Sequence, residues 1–300
     1  MVSSDAPRFL ELASGLRLAW NEFGAPDGDA VFFCHGWPGS RRQATRLDAA
    51  AKEFGFRLIS FDRPGIAHSS RPAERTLQDW PPMLAEAADR LGVHRFHIIG
   101  VSGGGPYALI SAWAFPERAV GAATVCGAPP IADLPDRSQL LLAYRALISL
   151  HKANRQSVRW FFRAVRPWVR LPLPRPLRPL ALNILSGSDA EALRDPVIFD
   201  TCYETFRDAW LGSADGVFAD AEIYVQPWGF APEDIKVPVQ IWHGRDDRNF
   251  RWPLAEALAQ RIPGARLRVI EGEGHFSLPF RQARAILGEL RNQAPVPHAG

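Results

Sequence analysis

The stretch Gly100-Val101-Ser102-Gly103-Gly104 constrains this chain more than any other. A short apolar run, 96–101, leads into it, and a helix is predicted to begin near Gly105. Glycines flanking a serine at this spacing, between a strand and a helix, form the pattern of a nucleophile elbow. So sharp a turn forces the serine into a strained backbone conformation, and its small neighbours let strand and helix approach. The hydroxyl is then held at the tip of the turn, beside helix N–H groups that favour developing negative charge.

The 300-residue chain can bury a substantial core, as one large domain or one domain with an insertion. Its formal net charge of +3 argues against a dedicated nucleic-acid binder, because a duplex partner demands a pronounced basic surface. Cys34, Cys126 and Cys202 are odd in number, far apart and set among apolar neighbours. They offer neither a disulfide framework nor a zinc spacing and read as buried thiols in a reducing compartment. The opening MVSSDAPRFL lacks the basic segment and apolar run of a signal peptide. No stretch approaches about eighteen uninterrupted apolar residues, so no membrane span is expected and the expected location is cytoplasmic.

Short strand-like runs alternate with helical patterns through the first half. Strands are predicted over 16–23, 30–34, 56–61, 95–101 and 120–125, and helices over 40–53, 77–91 and 105–115. Pro81 and Pro82 belong in the first turns of the second helix. This rhythm predicts an α/β fold with a mostly parallel sheet covered on both faces. It breaks after Ala128-Pro129-Pro130 and returns with a strand over 237–242, a helix over 252–261, a strand over 266–270 and a helix over 279–290. Residues 1–127 and 233–294 therefore read as the core, 128–232 as a mainly helical insertion that could cover the site as a cap, and 295–300 as a flexible tail.

A serine hydroxyl is a poor nucleophile until a base takes its proton, and the base needs an orienting acid. Both occur at the ends of later predicted strands. His243-Gly244-Arg245-Asp246-Asp247 offers two adjacent carboxylates, and Glu271-Gly272-Glu273-Gly274-His275-Phe276 offers a histidine. The order serine, aspartate, histidine is the one used by strand-turn-helix elbows of this kind.

These motifs together resemble the α/β-hydrolase superfamily, in its cap-bearing esterase, lipase and lactonase-like branches. His35-Gly36-Trp37-Pro38-Gly39-Ser40 is similar to the histidine-glycine loop after the third strand, and Asp62-Arg63-Pro64-Gly65 to the turn after the fourth. The resemblance covers most of the sheet region. It implies Ser102 as nucleophile, His275 as base and Asp247 as acid, with Asp246 as the adjacent alternative. It also implies an oxyanion hole made from the backbone N–H groups of Gly103 and Trp37. A serine at the elbow disfavours the relatives that use aspartate there. Two departures stand out: Ile66-Ala67-His68-Ser69 replaces a turn with a second glycine, and Arg251 stands where many relatives have proline.

His35 and His243 each precede a glycine at a strand end and read as braces for their loops. No H-E-x-x-H or comparable metal motif occurs, and Gly103-Gly104-Gly105 lacks the dinucleotide fingerprint, so neither metal nor cofactor is expected. Residues 137–178 contain ten lysines and arginines and no acid. There Arg155, Arg159, Arg163, Arg166 and Arg170 interleave with Trp160, Phe161, Val165, Trp168 and Val169. On a helix this predicts a basic face beside an aromatic one, directed to solvent, to a membrane surface or to an anionic substrate. The expected activity is cleavage of a small-molecule ester or lactone bearing an apolar group, through an acyl-serine. The substrate is expected to lie among Trp37, Trp160, Phe161 and Trp168. Amide or C–C bond cleavage on the same fold, and a non-catalytic interaction protein, remain the alternative readings.

Overall fold

The computed structural model describes residues 6–183 and 185–293. The expected tail, 295–300, lies outside the described residues. Eight strands form one sheet in the order β1-β2-β4-β3-β5-β6-β7-β8. They are β1 (Arg8–Glu11), β2 (Arg17–Gly24), β3 (Asp29–Cys34), β4 (Phe56–Phe61), β5 (Phe96–Val101), β6 (Ala119–Val125), β7 (Val239–Gly244) and β8 (Arg266–Ile270). β1 pairs antiparallel with β2, and β2 antiparallel with β4; every later pairing is parallel. β1 has no counterpart in the predicted strands, because four edge residues, all exposed but Leu10, carry no apolar alternation to detect.

Alternation within the central strands explains why both faces are covered. Phe32, Ile59, Phe96 and Ile98 point into one apolar cluster, while Val31, Phe33, Leu58, Ile99 and Val101 point into the other. The first cluster is closed by α2 (Trp80–Arg90), α3 (Gly105–Ala114) and α10 (Trp252–Arg261); the second by α1 (Asp48–Glu53) and α12 (Ala283–Arg291). Three predicted helices divide. Residues 41–47 and 77–79 form 3₁₀ turns ahead of α1 and α2, and a break at Gln282 separates α11 (Ser277–Arg281) from α12.

Between β6 and β7 the chain is helical: α4 (Leu142–Ala153), α5 (Arg155–Val169), α6 (Arg178–Leu182), α7 (Gly187–Ala192), α8 (Pro196–Asp208) and α9 (Ala214–Ile223). Asn154, Ser186, Asp195 and Ser213 cap α5, α7, α8 and α9 by accepting first-turn N–H groups. A third apolar cluster, with Val158, Phe162, Trp210, Val217 and Phe218, packs these helices onto Ile66 and Ala67 of the turn after β4.

The chain crosses from β3 to β4 on one side and returns to β5 on the other, so the sheet reverses its winding beside β3. The loops leaving β3 and β5 diverge there and open a crevice, the usual ligand position in an open α/β sheet. The elbow lies on that crevice, and its turn is sterically enforced. A Cβ on Gly104 would lie 1.9 Å from the Cys34 carbonyl oxygen, and one on Gly100 would lie 2.3 Å from that of Gly104. Gly104→Ala should therefore lose about 3 kcal/mol or more in urea unfolding. Gly15→Ala, strained in φ but facing open space, should lose only about 1 kcal/mol. Similar losses for the two variants would refute close approach as the reason for Gly104.

Candidate active site

Ser102 follows β5 with φ +53°, in the left-handed region that a residue with a Cβ occupies at a cost of about 1–3 kcal/mol. Its Oγ lies 2.9 Å from His275 Nε2, and His275 Nδ1 lies 2.8 Å from Asp247 Oδ2. A carboxylate only accepts, so Nδ1 carries the proton and Nε2 is left to accept from the Ser102 hydroxyl. Three strand ends, those of β5, β7 and β8, thus bring Ser102, Asp247 and His275 together.

Asp247 is buried, and four groups fix its carboxylate. Oδ1 accepts from the N–H groups of Asn249 (2.7 Å) and Phe250 (3.1 Å). Oδ2 faces His275 and, at 3.3 Å, His243 Nε2, which also donates to the Phe250 carbonyl at 2.7 Å. Burial pushes the Asp247 pKa up, but the His275 charge and the hydrogen bonds from His243 and His275 outweigh it, holding the group well below the usual carboxylate range. For His275 burial acts downward, and the charge and hydrogen bond of Asp247 overcome it to raise the imidazole above its ordinary value. Asp246 points elsewhere: it is exposed and accepts from Ser188 Oγ at 3.2 Å.

The two candidate oxyanion donors are aimed by what holds the carbonyls of their own peptides. In a planar trans peptide, C=O and N–H point in opposite directions. The Gly36 carbonyl accepts from His35 Nδ1 (2.8 Å) and Arg63 Nη2 (3.2 Å), turning the Trp37 N–H the other way. The Ser102 carbonyl accepts from the Ala128 N–H (2.9 Å), which does the same for Gly103. A Cβ on Gly103 would lie 2.8 Å from Trp37 Cβ, and both residues line one cavity with Ser102. His35 is a brace, since its Nε2 accepts from the Arg63 N–H at 3.2 Å. Burial, then the Arg63 charge, lowers its pKa to about 3 and keeps it neutral.

Arg63 belongs to a buried polar network with no separate signal in the sequence. Its guanidinium meets Asp220 of α9 through Nε and Nη2, the shortest contact being 2.7 Å. Asp220 also accepts from Arg75 and from the Tyr107 hydroxyl at 2.8 Å. The Tyr224 hydroxyl accepts from Arg63 at 3.2 Å and donates to the Gly103 carbonyl at 3.0 Å. Burial pushes the Asp220 pKa up, but Arg63 and Arg75 reverse the shift and hold it well below the usual range.

The cavity over Ser102 has a volume of about 80 Å³ and an almost wholly apolar lining, including Trp37, Ile148, Val158, Phe162 and Phe218. Trp37 lines it as expected; Trp160, Phe161 and Trp168 do not. They are 62%, 49% and 74% exposed on the outer face of α5. Helical phase explains the correction. Val158, Phe162, Val165 and Val169 recur at three and four residues and form the packed face, which turns the other aromatics outward. The arginines of the expected basic face are largely engaged within the fold, although among the described residues only Asp215 and Glu222 offset their charge. Arg159 and Arg163 both clasp Asp215, Arg155 pairs with Glu222, and Arg166 donates to the carbonyls of residues 210–212.

Of the two departures noted in the sequence, the one at Ala67 carries backbone strain and the one at Arg251 has a local reason. Ala67 adopts φ +45°, the left-handed conformation that a glycine would take more easily. Arg251 donates its backbone N–H to the Gln139 carbonyl at 3.1 Å, a bond proline cannot make. Cys126, Asp247 and His275 place possible metal-ligand atoms within 4.8 Å of one another. Metal binding needs a thiolate, whereas burial, reinforced by the Asp247 charge, pushes the Cys126 thiol well above its ordinary value. All three cysteines are free. Among the described residues, no helix is long and apolar enough to cross a membrane.

Comparison with known proteins adds the family context. A profile described as the alpha/beta hydrolase fold matches residues 29–282. The chain is 25% identical over 273 residues to a putative 2-succinyl-6-hydroxy-2,4-cyclohexadiene-1-carboxylate synthase of Bacillus subtilis (strain 168), covering 89% of this chain and 90% of the relative. It is also 25% identical over 276 residues to a proline iminopeptidase of Lactobacillus delbrueckii subsp. lactis, with the same shares covered. Among solved structures, the esterase EaEST from Exiguobacterium antarcticum matches with a TM-score of 0.68 at 20% identity, covering 95% of this chain and 98% of its own. At that identity the likeness speaks to the fold alone.

The buried network generates a stability test. Asp220→Asn should cost about 3–5 kcal/mol, because Arg63 and Arg75 would be left buried without their counter-charge. The folded-state pKa of Asp220 is depressed, so its contribution is present above the ordinary carboxylate range and lost as pH falls through that range and below. Denaturant unfolding between about pH 7 and pH 3 should show a shallower acid decline for Asp220→Asn than for the native protein. Parallel profiles would mean that Asp220 carries no such linkage.

Proposed function

The chain belongs to the alpha/beta hydrolase fold family, and within it we propose that this protein is a serine hydrolase that cleaves small carboxylic esters or lactones through an acyl-serine. The supporting observation is the contact chain from Ser102 Oγ through the His275 ring to Asp247, set under an apolar cavity. The named activities of its relatives, a synthase and an iminopeptidase, diverge from one another. The choice of ester chemistry therefore rests on the site.

Ser102 Oγ attacks the carbonyl carbon as its proton passes to His275 Nε2. Asp247 holds the Nδ1–H tautomer and stabilises the imidazolium. The negative oxygen of the tetrahedral intermediate is received by the Trp37 and Gly103 N–H groups, and loss of one such donor typically costs about 3 kcal/mol. Collapse expels the alkoxide, which takes the proton from His275. Water, deprotonated by His275, then attacks the acyl-serine and releases the acid. The helical segment 128–232 acts as the cap, and Ile148, Phe162 and Phe218 give it an apolar inner face. A cavity of about 80 Å³ is far below the several hundred Å³ of sites for drug-sized ligands, and so favours a short acyl group.

Three measurements test this reading. A fluorophosphonate probe followed by peptide mass spectrometry should label Ser102 in the folded native protein, and an unlabelled serine would exclude the covalent route. Asp247→Ala should lose about four orders of magnitude in kcat, whereas Asp246→Ala, facing Ser188, should stay within about tenfold of the native enzyme. Equal losses would reassign the acid. Across p-nitrophenyl esters of increasing acyl length, kcat/KM should rise about fourfold per methylene at first, following ~0.8 kcal/mol per buried CH₂. It should then fall once the cavity is filled, and a continued rise through long chains would contradict the small-acyl assignment.

A further inference from the structure

Asp189 lies on α7, within the helical segment and far in sequence from the three residues of the contact chain. Its side chain is buried, and the partners of its carboxylate are backbone groups of one loop. Oδ2 accepts from the N–H of His275 (3.1 Å), and Oδ1 from those of Phe276 (2.8 Å) and Ser277 (2.9 Å). Charge-assisted bonds to backbone N–H groups are stronger than neutral ones, and three converging on successive residues fix both the position and the tilt of that segment. The loop is shaped to receive the carboxylate: a Cβ on Gly274 would lie 2.4 Å from Asp189 Oδ1. Asp189 is itself anchored, because its own N–H donates to Ser186 Oγ at 3.2 Å and Ser186 caps the helix.

We infer that Asp189 is a positioning residue for His275, through which the helical segment between β6 and β7 sets the placement of the catalytic base. The inference rests on the serine-hydrolase reading above. It adds a second carboxylate to the histidine, one that holds its backbone while Asp247 holds its ring. Asp189 acts without touching substrate. It keeps the imidazole in line between Ser102 and Asp247, and its negative charge favours the imidazolium formed during attack. The charged and titratable groups around His275 are His243 from the end of β7, Asp247 from the loop after it, Cys126 from just after β6, Arg46 from the turn after β3, and Asp189 from α7. Of the charged groups among these, the two aspartates raise the His275 pKa and Arg46 lowers it.

The test is Asp189→Asn, which keeps one acceptor oxygen, removes the charge and turns an amide donor toward a backbone N–H. Because His275 must be neutral to act as base, activity rises with pH through its pKa. Removing the Asp189 charge lowers that pKa, so the acid limb of kcat/KM should move to lower pH. The His275 ring resonances, followed by NMR in the free protein, should show the same downward shift. At the pH optimum kcat should fall by up to about a hundredfold, the scale of a base displaced by about an ångström, with KM nearly unchanged. Ser186→Ala, which loosens the end of α7 but keeps the carboxylate, should lower kcat in the same sense by less and leave the acid limb in place. A folded Asp189→Asn protein with native kcat, acid limb and His275 titration would overturn the inference. The NMR shift is read without substrate, so its absence counts against Asp189 alone. A native protein that neither labels at Ser102 nor turns over any ester would instead count against the serine-hydrolase reading.

Discussion

One buried guanidinium holds the parts of the site in register. Arg63 reaches from the turn after β4 to the carbonyls of His35 and Gly36, to Asp220 on α9 and to the Tyr224 hydroxyl. An arginine without water needs its charge balanced and its N–H groups satisfied, and few local chain segments can supply that many acceptors. The acceptors therefore come from two loops and a helix, and meeting the arginine's demand fixes their relative positions. The Gly36 peptide is turned by that demand, and with it the N–H of Trp37. A residue that reads in the sequence as one letter of a turn motif is thus the anchor between the sheet and the helices above it.

Buried carboxylates follow the same logic. Among the described residues the buried acids are Asp62, Asp189, Asp220, Asp247 and Glu273. All lie at the carboxyl ends of the parallel strands or on helices that descend onto them. A carboxylate in such a place is costly unless several donors meet it, and each of the four aspartates is met by at least three. Their clustering marks the end of the sheet where polar geometry, rather than apolar area, dictates the structure. The left-handed residues Ser102, Ala67 and Cys126 lie at that same end, each in a loop leaving a strand. The strain they hold is borne by the packed sheet below.

The difference between what the sequence discloses and what it hides follows from the range of the interactions. The sheet is legible because each central strand is a continuous apolar run beside a turn, a purely local pattern. β8 and α10 begin and end at the predicted residues. Ser102, Asp247 and His275 are legible because each lies at a strand end in a motif of its own, so their order is informative without knowledge of contacts. α5 is a different case. Its aromatics and arginines are plain in the sequence, but which face turns inward depends on a neighbour. Phe162 takes the inner position, where its ring packs tilted against Trp37 and edge-on to Phe218, leaving Trp160 and Trp168 outside. Asp189, Asp220 and Tyr224 have no local signature at all, since their partners are supplied by other parts of the fold. The break at Gln282 and the edge strand β1 were hidden for the opposite reason: their local signals are too short to separate from a neighbouring helix or turn.

Asp189 and Asp220 together change how the helical segment relates to the sheet. A lid that merely rested on apolar contacts could slide, because such contacts are nearly indifferent to direction. This segment is instead tied to the sheet by charged groups that demand fixed geometry: Asp189 at the His275 loop, Asp220 through Arg63 at the loop carrying Trp37, and Glu204 and Asp208 to Arg42 of the turn after β3. Lifting α7 or α9 would expose a carboxylate and also leave N–H groups of the site loops without acceptors. α4 and α5 are held to the same frame at one remove, because His151 and Arg155 pair with Glu222 of α9 and Arg159 and Arg163 with its Asp215. Their inner side chains, Ile148, Val158 and Phe162, meet the cavity through apolar contact alone. Along the segment, α7 and α9 carry the buried carboxylates that meet the site loops, while α4 and α5 contribute apolar side chains to the cavity wall.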